Sequence, residues 1–249
     1  MGQEVCRAVS AEADLTLVAA VDPFHGGSSV DELAGFETGV VIAERNEALV
    51  EAGAQVVVDF THLDAAKANI EFCAANGIHA VVGTSGFTKQ DHERIGALFT
   101  SSNCLIAANF AIGAVLLMRF AELAAPFFET AEIIELHHDG KVDAPSGTAI
   151  ATAERMADVG GEWASDPTET ETISGARGAK GAGGIAIHSV RMRGMTAHQE
   201  VVLGTTGQSL SLRHDSYDRS SFMPGVILAV RRIPEVAGLT IGLDGVLGL

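Results

Sequence analysis

The chain has 249 residues, of which 47% are apolar and 19% are charged, a composition typical of a globular protein with a sizeable core. Its formal charge of −16 opposes nucleic acid or an anionic membrane as a partner, because binding to phosphates needs clustered Lys and Arg. The apolar segment at 111–128 is broken by Arg119 and Glu122 and is too short to span a bilayer, and the N-terminus lacks the pattern of a signal peptide.

The first half of the chain alternates buried strands with helices. Val-rich runs without polar alternation predict strands of a parallel sheet at residues 15–21, 55–60, 80–82 and 104–107. Helices are predicted at 64–76, followed by Gly77, and at 88–99, with Thr88 as the N-cap. The segment 24–44 is predicted to be irregular. This alternation favours a doubly wound α/β domain.

Small and polar residues follow these strands, at Asp22, Asp59-Phe60-Thr61, Gly83-Thr84-Ser85-Gly86 and Ala108-Asn109-Phe110. In open α/β sheets the ligand crevice lies beyond the carboxyl ends of the strands, so these loops are candidates for a nucleotide site. Taken singly, each loop is better explained as an ordinary turn between a strand and a helix.

The second half predicts an α+β unit with a mostly antiparallel sheet. Helices are predicted at 111–127, at 145–159 through Ser146, and at 221–233, and strands at 131–136, 185–192, 200–203 and 209–214. The last three strands resemble an antiparallel meander, and the Gly-rich segment 160–184 is predicted to be a surface loop. The predicted domains are residues 1–110 with 221–249, for a dinucleotide, and residues 111–220, for substrate and oligomerisation.

The densest group of reactive side chains lies at residues 135–149. Ser146, Gly147 and Thr148 stand at a helix start, where unpartnered N–H groups and the helix dipole favour a carboxylate or phosphate. Two histidines and Lys141, one of only four lysines, come just before them. An anion cradle beside proton donors suits the reduction of an anionic, conjugated substrate.

Simpler interpretations exist for each part of this segment. A His-His pair is often structural, and Ser-Gly-Thr is a common helix cap. Metal binding would recruit His188, His198 or His214, but adjacent histidines rarely chelate one ion and HExxH is missing, so no metal is predicted. His188 and His214 are predicted to face solvent or an interface, and Asp215 and Asp218 to belong to a turn.

The three cysteines, Cys6, Cys73 and Cys104, are scattered and form no CxxC motif. A buried apolar role is expected for each. Free thiols in a chain of this size fit a reducing compartment, so a cytoplasmic location is predicted.

The whole segment 135–149 resembles the signature of the 4-hydroxy-tetrahydrodipicolinate reductase (dihydrodipicolinate reductase) family of bacterial lysine and diaminopimelate synthesis. The family string, E-x-H-H-x-x-K-x-D-A-P-S-G-T-A, is met at every fixed position. Residues 57–61, 80–87, 106–112, 214–222 and 224–226 match in order, most like the actinobacterial branch. Ser85 stands where a second threonine is usual.

This resemblance implies a role for each matching residue. His137 would be the catalytic acid/base and Lys141 the proton donor, while His138 and Ser146 to Thr148 would bind a dicarboxylate substrate. Asp22 would bind the adenosine ribose hydroxyls of NADH or NADPH, and an acidic residue at this position favours NADH. The rest of the implied cofactor site comprises Gly2, Phe60, Thr61, Gly83, Thr84, Ser85, Ala107, Ala108, Asn109 and Phe110. The resemblance also implies a Rossmann-like domain and a homotetramer joined through the sheet of the second domain.

The N-terminus departs from the family pattern, which opens with a strand and a G-x-x-G-x-x-G loop. Only the last glycine, Gly2, is present, so the first strand and two glycines are missing. Without that strand, two neighbours would lose backbone partners. Either the start codon was assigned late or a true truncation impairs cofactor binding. We expect the first, because the catalytic string is intact.

Two other functions compete with the reductase. Another two-domain Rossmann dehydrogenase would account for the strands but not for the string at 135–149. A non-catalytic sensor of a nucleotide or dicarboxylate would tolerate the shortened phosphate loop. Turnover of substrate distinguishes the reductase from the sensor.

Overall fold

The computed structural model describes residues 1–249, which divide into two compact units: residues 1–110 with 219–249, and residues 111–218. The helices are α1 Gly2–Ala11, α2 Val30–Ala34, α3 Glu47–Glu51, α4 Leu63–Ala75, α5 Lys89–Leu98, α6 Ile112–Ala124, α7 Gly147–Val159, α8 Met223–Arg232 and α9 Asp244–Leu247. The strands are β1 Ala20–Val21, β2 Ile42–Ala43, β3 Val56–Asp59, β4 His79–Val82, β5 Cys104–Ile106, β6 Thr130–His137, β7 Ala179–Lys180, β8 Ala186–Arg191, β9 Ala197–Thr205, β10 Gln208–Ser216 and β11 Leu239–Ile241. None of the helices is long and apolar enough to cross a membrane.

A parallel four-stranded sheet, in the order β11-β5-β4-β3, organises the first unit. Its two middle strands are buried, with Val81 and Leu105 fully inaccessible, as expected for strands that are covered on both faces. Ile70 and Cys73 from α4 and Ile95 from α5 pack against them. The predicted strands at 55–60, 80–82 and 104–107 are therefore confirmed, and the alternation of parallel strands and helices is Rossmann-like.

The predictions for residues 15–44 were partly wrong. The strand predicted at 15–21 is reduced to Ala20–Val21, which pairs only with Ile42–Ala43 in a separate two-stranded parallel sheet. A strand needs a neighbouring backbone to satisfy its N–H and C=O groups, and β1 has a neighbour on one edge only. The segment predicted to be irregular contains α2, which is capped by Ser29 and ends at Gly35 in the left-handed region. α2 is too short to give a helical periodicity.

The second unit is built on a five-stranded sheet in the order β10-β9-β6-β8-β7. Helices α6 and α7 cover one face, where Ile133, Val201 and Leu203 meet Met156 and Leu117. The predicted antiparallel meander is wrong in one respect. β8 does not pair with β9, because β6 lies between them and pairs in parallel with β8 and antiparallel with β9. The connection at 192–196 crosses the end of β6, where the Met192 N–H donates to the carbonyl of His137.

The start of α5 is a capping box. The Thr88 hydroxyl accepts a hydrogen bond from the Asp91 N–H at 3.1 Å, and the Asp91 carboxylate accepts one from the Thr88 N–H at 2.8 Å. Lys67 from α4 also contacts Asp91, at 2.7 Å. The N-cap predicted at Thr88 is confirmed.

We predict that Thr88→Ala lowers the free energy of unfolding by about 1 kcal/mol, because the first turn of α5 loses its cap. Urea denaturation measures the change. The exposed Thr100, just beyond α5, provides the control Thr100→Ala, which should have little effect. Equal losses in the two variants would contradict a capping role for Thr88.

Candidate active site

A buried carboxylate lies at the centre of the second unit. Alternation along β6 places Ile133, Glu135 and His137 on the face toward the helices, and Glu135 is 0% exposed. Arg191, at the end of the parallel strand β8, donates to both carboxylate oxygens, from Nη1 to Oε2 at 2.8 Å and from Nη2 to Oε1 at 2.8 Å. This bidentate pair supplies the charge compensation that a buried carboxylate requires.

Glu135 also contacts both parts of the segment that the sequence singled out. Its Oε2 lies 2.5 Å from Nδ1 of His137, and its Oε1 accepts a hydrogen bond from the Ser146 N–H at 3.2 Å. Burial opposes the charge, but hydrogen bonds from Arg191, Ser189 and His137 outweigh it and hold the pKa of Glu135 below its usual value. The carboxylate therefore stays ionised near neutral pH.

The imidazole of His137 is mostly shielded, with 16% of its side chain exposed. Burial lowers the pKa of His137, and the cations of Lys141 and Arg191 lower it further, while the hydrogen bond to Glu135 raises it. The net effect is a pKa below the usual value, so the ring is mostly neutral at pH 7 and able to accept a proton.

Lys141 lies in the loop that follows β6. Its Nζ is 2.8 Å from both carboxylate oxygens of Asp143, and its backbone N–H donates to the carbonyl of His138. The loop is fastened to the sheet by Arg191, whose Nη2 donates to the Asp143 carbonyl at 2.7 Å. His138 is exposed beside this loop.

Helix α7 begins after a cis peptide bond between Ala144 and Pro145. The buried Ser146 is its N-cap, and the Ser146 hydroxyl accepts a hydrogen bond from the Ala149 N–H at 3.2 Å. Gly147 is exposed, with open space where a side chain would be. The positive end of a 13-residue helix is therefore accessible at Gly147, the position where an anion is favoured.

A second series of hydrogen bonds links the first turn of α7 to the sheet. The Thr152 hydroxyl donates to the Thr148 carbonyl at 2.7 Å and accepts from the side-chain amide of Gln199 at 2.8 Å. Gln199 and Thr152 are both buried. These bonds hold the Ser146–Thr148 backbone against the sheet.

The candidate cofactor residues of the first unit lie where three parallel strands end. After β3, the ring of Phe60 packs over Gly83, where a Cβ atom would come within 2.1 Å of it, and stands 5.6 Å from the ring of Phe110. The buried Thr84 hydroxyl donates to the Thr61 carbonyl at 2.7 Å. The structure thus brings together the loops after β3, β4 and β5.

Within these loops, the side chains divide into supporting and accessible groups. Ala107 and Phe110 are buried, and Asn109 is half-buried, whereas Thr61, Ser85 and Ala108 are exposed at the loop tips. The exposed loop tips are thus small residues, and the rings of Phe60 and Phe110 contact each other within the same loops.

The two remaining candidates, Asp22 and Gly2, lie on other elements of the first unit. Asp22 follows β1, and its carboxylate accepts a hydrogen bond from the Phe24 N–H at 2.8 Å and lies 3.1 Å from the His25 ring. Gly2 is the first residue of α1 and has open space around its Cα.

The structure also places other residues for which the sequence made predictions. His188 is half-buried and lies 2.6 Å from Glu132, and His214 is half-buried with its ring against Gly113; their prediction as solvent or interface residues stays a prediction. Asp215 belongs to β10 and contacts Nδ1 of His198 at 2.7 Å, so it is not a turn residue. No group of three or more His, Cys, Asp or Glu side chains could hold a metal ion.

Two of the three cysteines are buried, as expected. Cys73 and Cys104 belong to the core of the first unit, whereas Cys6 in α1 is only half-buried. Burial raises the pKa of Cys73 to about 12, so its thiol is protonated and unreactive at neutral pH.

Sequence reasoning assigned no role to Glu135 and did not find Arg191. A signal was available for Glu135, because it alternates with Ile133 on the buried row of a strand, where an ionised residue needs a cation. Nothing in the sequence identified Arg191 as that cation, because the parallel pairing of β6 with β8 was not predicted.

Comparisons with known proteins identify the family of the chain. Residues 1–110 match the family described as dihydrodipicolinate reductase, N-terminus, and residues 113–247 match dihydrodipicolinate reductase, C-terminus. A 4-hydroxy-tetrahydrodipicolinate reductase of Mycobacterium ulcerans is 49% identical over 100% of this chain and 95% of its own length. One from Corynebacterium urealyticum is 53% identical over 81% and 83% of the two chains.

A solved structure leads to the same family. The dipicolinate-bound dihydrodipicolinate reductase of Paenisporosarcina sp. TG-14 superimposes with a TM-score of 0.86 at 41% identity, covering 98% of this chain and 94% of that one. The NAD complex of GenD2 from gentamicin A biosynthesis, at 13% identity and a TM-score of 0.63, shares the fold alone. From the matches to both halves and the similarity to full-length relatives, the chain belongs to the dihydrodipicolinate reductase family.

Proposed function

We propose that this protein reduces 4-hydroxy-tetrahydrodipicolinate to tetrahydrodipicolinate with NADH or NADPH, in lysine and diaminopimelate synthesis. Family membership supports this function, and one observation in the chain carries it. Within residues 135–148, an imidazole, an accessible helix start and the loop that carries an ammonium group are held by the same buried carboxylate and its arginine. The reaction loses water, adds hydride at C4 of the ring and protonates the resulting enamine.

His137 and Lys141 are the groups that would handle protons. The shielded, mostly neutral ring of His137 accepts or returns a proton near neutral pH. An ammonium group has three N–H donors, and the two contacts of Lys141 with Asp143 leave one for a substrate atom. Lys141 is therefore the proton donor and His137 the acid/base.

The substrate is a dianion, and the start of α7 would bind one of its carboxylates. The backbone N–H groups of Gly147 and Thr148 lie in the first turn, where the helix dipole favours negative charge. Gly147 allows the carboxylate to approach the backbone closely. The exposed His138 adds a polar contact beside Lys141.

The first unit would bind the nicotinamide cofactor, which supplies a hydride when bound. The small exposed tips after β3, β4 and β5 fit a flat ring over the backbone, with Phe60 and Phe110 as the floor. Asp22, at the end of β1, would accept from the ribose hydroxyls, and Gly2 would approach the pyrophosphate at the start of α1. These residues would hold the ring in one orientation, which favours transfer.

We also propose a cytoplasmic homotetramer that assembles through the sheet of the second unit. Free thiols support the location. On the sheet face opposite α6 and α7, the half-buried side chains of Ile134, Leu136, Val190 and Val202 form a patch of apolar residues interspersed with Glu132, His188 and Glu200. Such a patch is typical of a surface that binds another copy.

For activity, we predict that the protein oxidises NADH or NADPH only when the product of dihydrodipicolinate synthase is supplied. The loss of reduced cofactor is followed by absorbance, and tetrahydrodipicolinate is identified by mass spectrometry. Tight binding of nucleotide or dicarboxylate without turnover would favour a sensor instead.

For the proton donor, Lys141→Ala should lower kcat by about 10²- to 10⁴-fold, the usual contribution of general acid catalysis. The cofactor Kd, measured by fluorescence quenching, should stay nearly unchanged because Lys141 lies outside the cofactor unit. Lys89→Ala, at an exposed lysine of α5, is the matched control. A parallel loss of kcat and cofactor affinity would argue against the assigned role.

For assembly, Val202→Arg should convert the tetramer to smaller species in sedimentation velocity, because it places a charge in the apolar patch. Val159→Arg, at an exposed end of α7, should leave the sedimentation coefficient unchanged. The interface assignment fails if both variants sediment like the wild-type protein.

A further inference from the structure

In the chemistry proposed above, Glu135 and Arg191 transfer no proton, yet Glu135 is the most buried charged group beside His137. We propose that Glu135, held by Arg191, is a positioning residue: it fixes His137 in the tautomer with a proton on Nδ1, and it locks that ring to the start of α7. This inference rests on the proposed function, since it concerns the same site.

The tautomer follows from hydrogen-bond chemistry. With Arg191 donating to both oxygens, the Glu135 carboxylate is ionised and can only accept hydrogen bonds. Nδ1 of His137, at 2.5 Å from Oε2, must therefore carry a proton. Nε2 is left as the one ring nitrogen that can take a proton from substrate or return it.

The locking follows from how the two carboxylate oxygens are used. Oε2 serves His137 and Nη1 of Arg191, while Oε1 serves the Ser146 N–H and Nη2. One rigid carboxylate thus sets the separation between the imidazole and the N-cap of the anion-binding helix. Nη2 of Arg191 also donates to the Asp143 carbonyl. The loop that carries Lys141 is therefore held by the arginine that pairs with Glu135.

A second glutamate of β6 with similar partners shows how the burial of Glu135 differs. Glu132, on the opposite face of β6, also contacts an imidazole, Nε2 of His188 at 2.6 Å, and the guanidinium of Arg177. Its side chain is 35% exposed, whereas that of Glu135 is 0% exposed. An exposed ion pair contributes little, but burying a carboxylate completely costs desolvation that an apolar residue would avoid. Stability alone therefore does not account for Glu135 and Arg191.

The environment of His137 sets the expected pH effect. The charged groups that face its ring are Glu135 on its own strand, Arg191 on β8 and Lys141 in the following loop. Of these, only the anion of Glu135 stabilises the imidazolium. Removing that charge leaves burial and two cations, so the proton is lost at a lower pH.

The test combines NMR with kinetics on Glu135→Gln. In ¹⁵N-labelled wild-type protein, we expect neutral His137 to be protonated at Nδ1, and in Glu135→Gln we expect both tautomers, because an amide can donate as well as accept. We also expect a fall in kcat of about 100-fold and a shift of the limb of the kcat profile due to His137 to lower pH. Glu132→Gln is the matched control, which should change the His188 signals and leave those of His137 unchanged.

The outcomes separate this inference from the proposed function. If wild-type protein does not reduce the substrate, the proposed function fails, while the tautomer still tests the role of Glu135. A wild-type His137 protonated at Nε2 overturns the inference, and so does a Glu135→Gln variant with an unchanged tautomer and pH profile. Should Glu135→Gln fail to fold, the wild-type tautomer alone decides.

Discussion

A carboxylate with no access to water determines the architecture of the second unit. Once Glu135 lies on the helix-facing row of β6, its charge must be matched, and the parallel neighbour β8 supplies Arg191 at the same end of the sheet. The remaining acceptor capacity of Glu135 is met by His137 and by the backbone at Ser146. The chemistry proposed for residues 137–148 depends on this one arrangement, because His137 and the start of α7 bond Glu135 directly and the loop that carries Lys141 bonds Arg191.

The two units position their candidate site residues in different ways. In the first, parallel strands end at one edge, so loops distant in sequence converge there, with two aromatic rings beneath them. In the second, the reactive groups come from one continuous segment, and the sheet beneath it supplies rigidity. A flat cofactor ring needs a surface assembled from several loops, whereas proton transfer needs a few atoms held at fixed separations.

The sequence was informative where a local pattern determines the structure. Buried runs such as residues 80–82 predicted the central strands, Thr88 and Ser146 predicted helix starts, and the segment 135–149 identified the reactive region. It failed where pairing between distant strands decides the outcome. The strand at 15–21 shortened for lack of a neighbour, and β8 paired with β6 instead of β9. Arg191 was missed for that reason, since only strand order brings it to Glu135.

The contact between Lys141 and Asp143 has a consequence for the energetics of turnover. Asp143 is an internal counter-ion, so a dianionic ligand does not meet a bare ammonium but must compete with a carboxylate already in place. If Lys141 is the proton donor as proposed, that competition would limit ground-state affinity and leave more of the attraction for the step in which the enamine takes its proton. In the proposed site, Asp143 would pair again with Lys141 as product leaves, which would oppose retention of a molecule that still carries two negative charges.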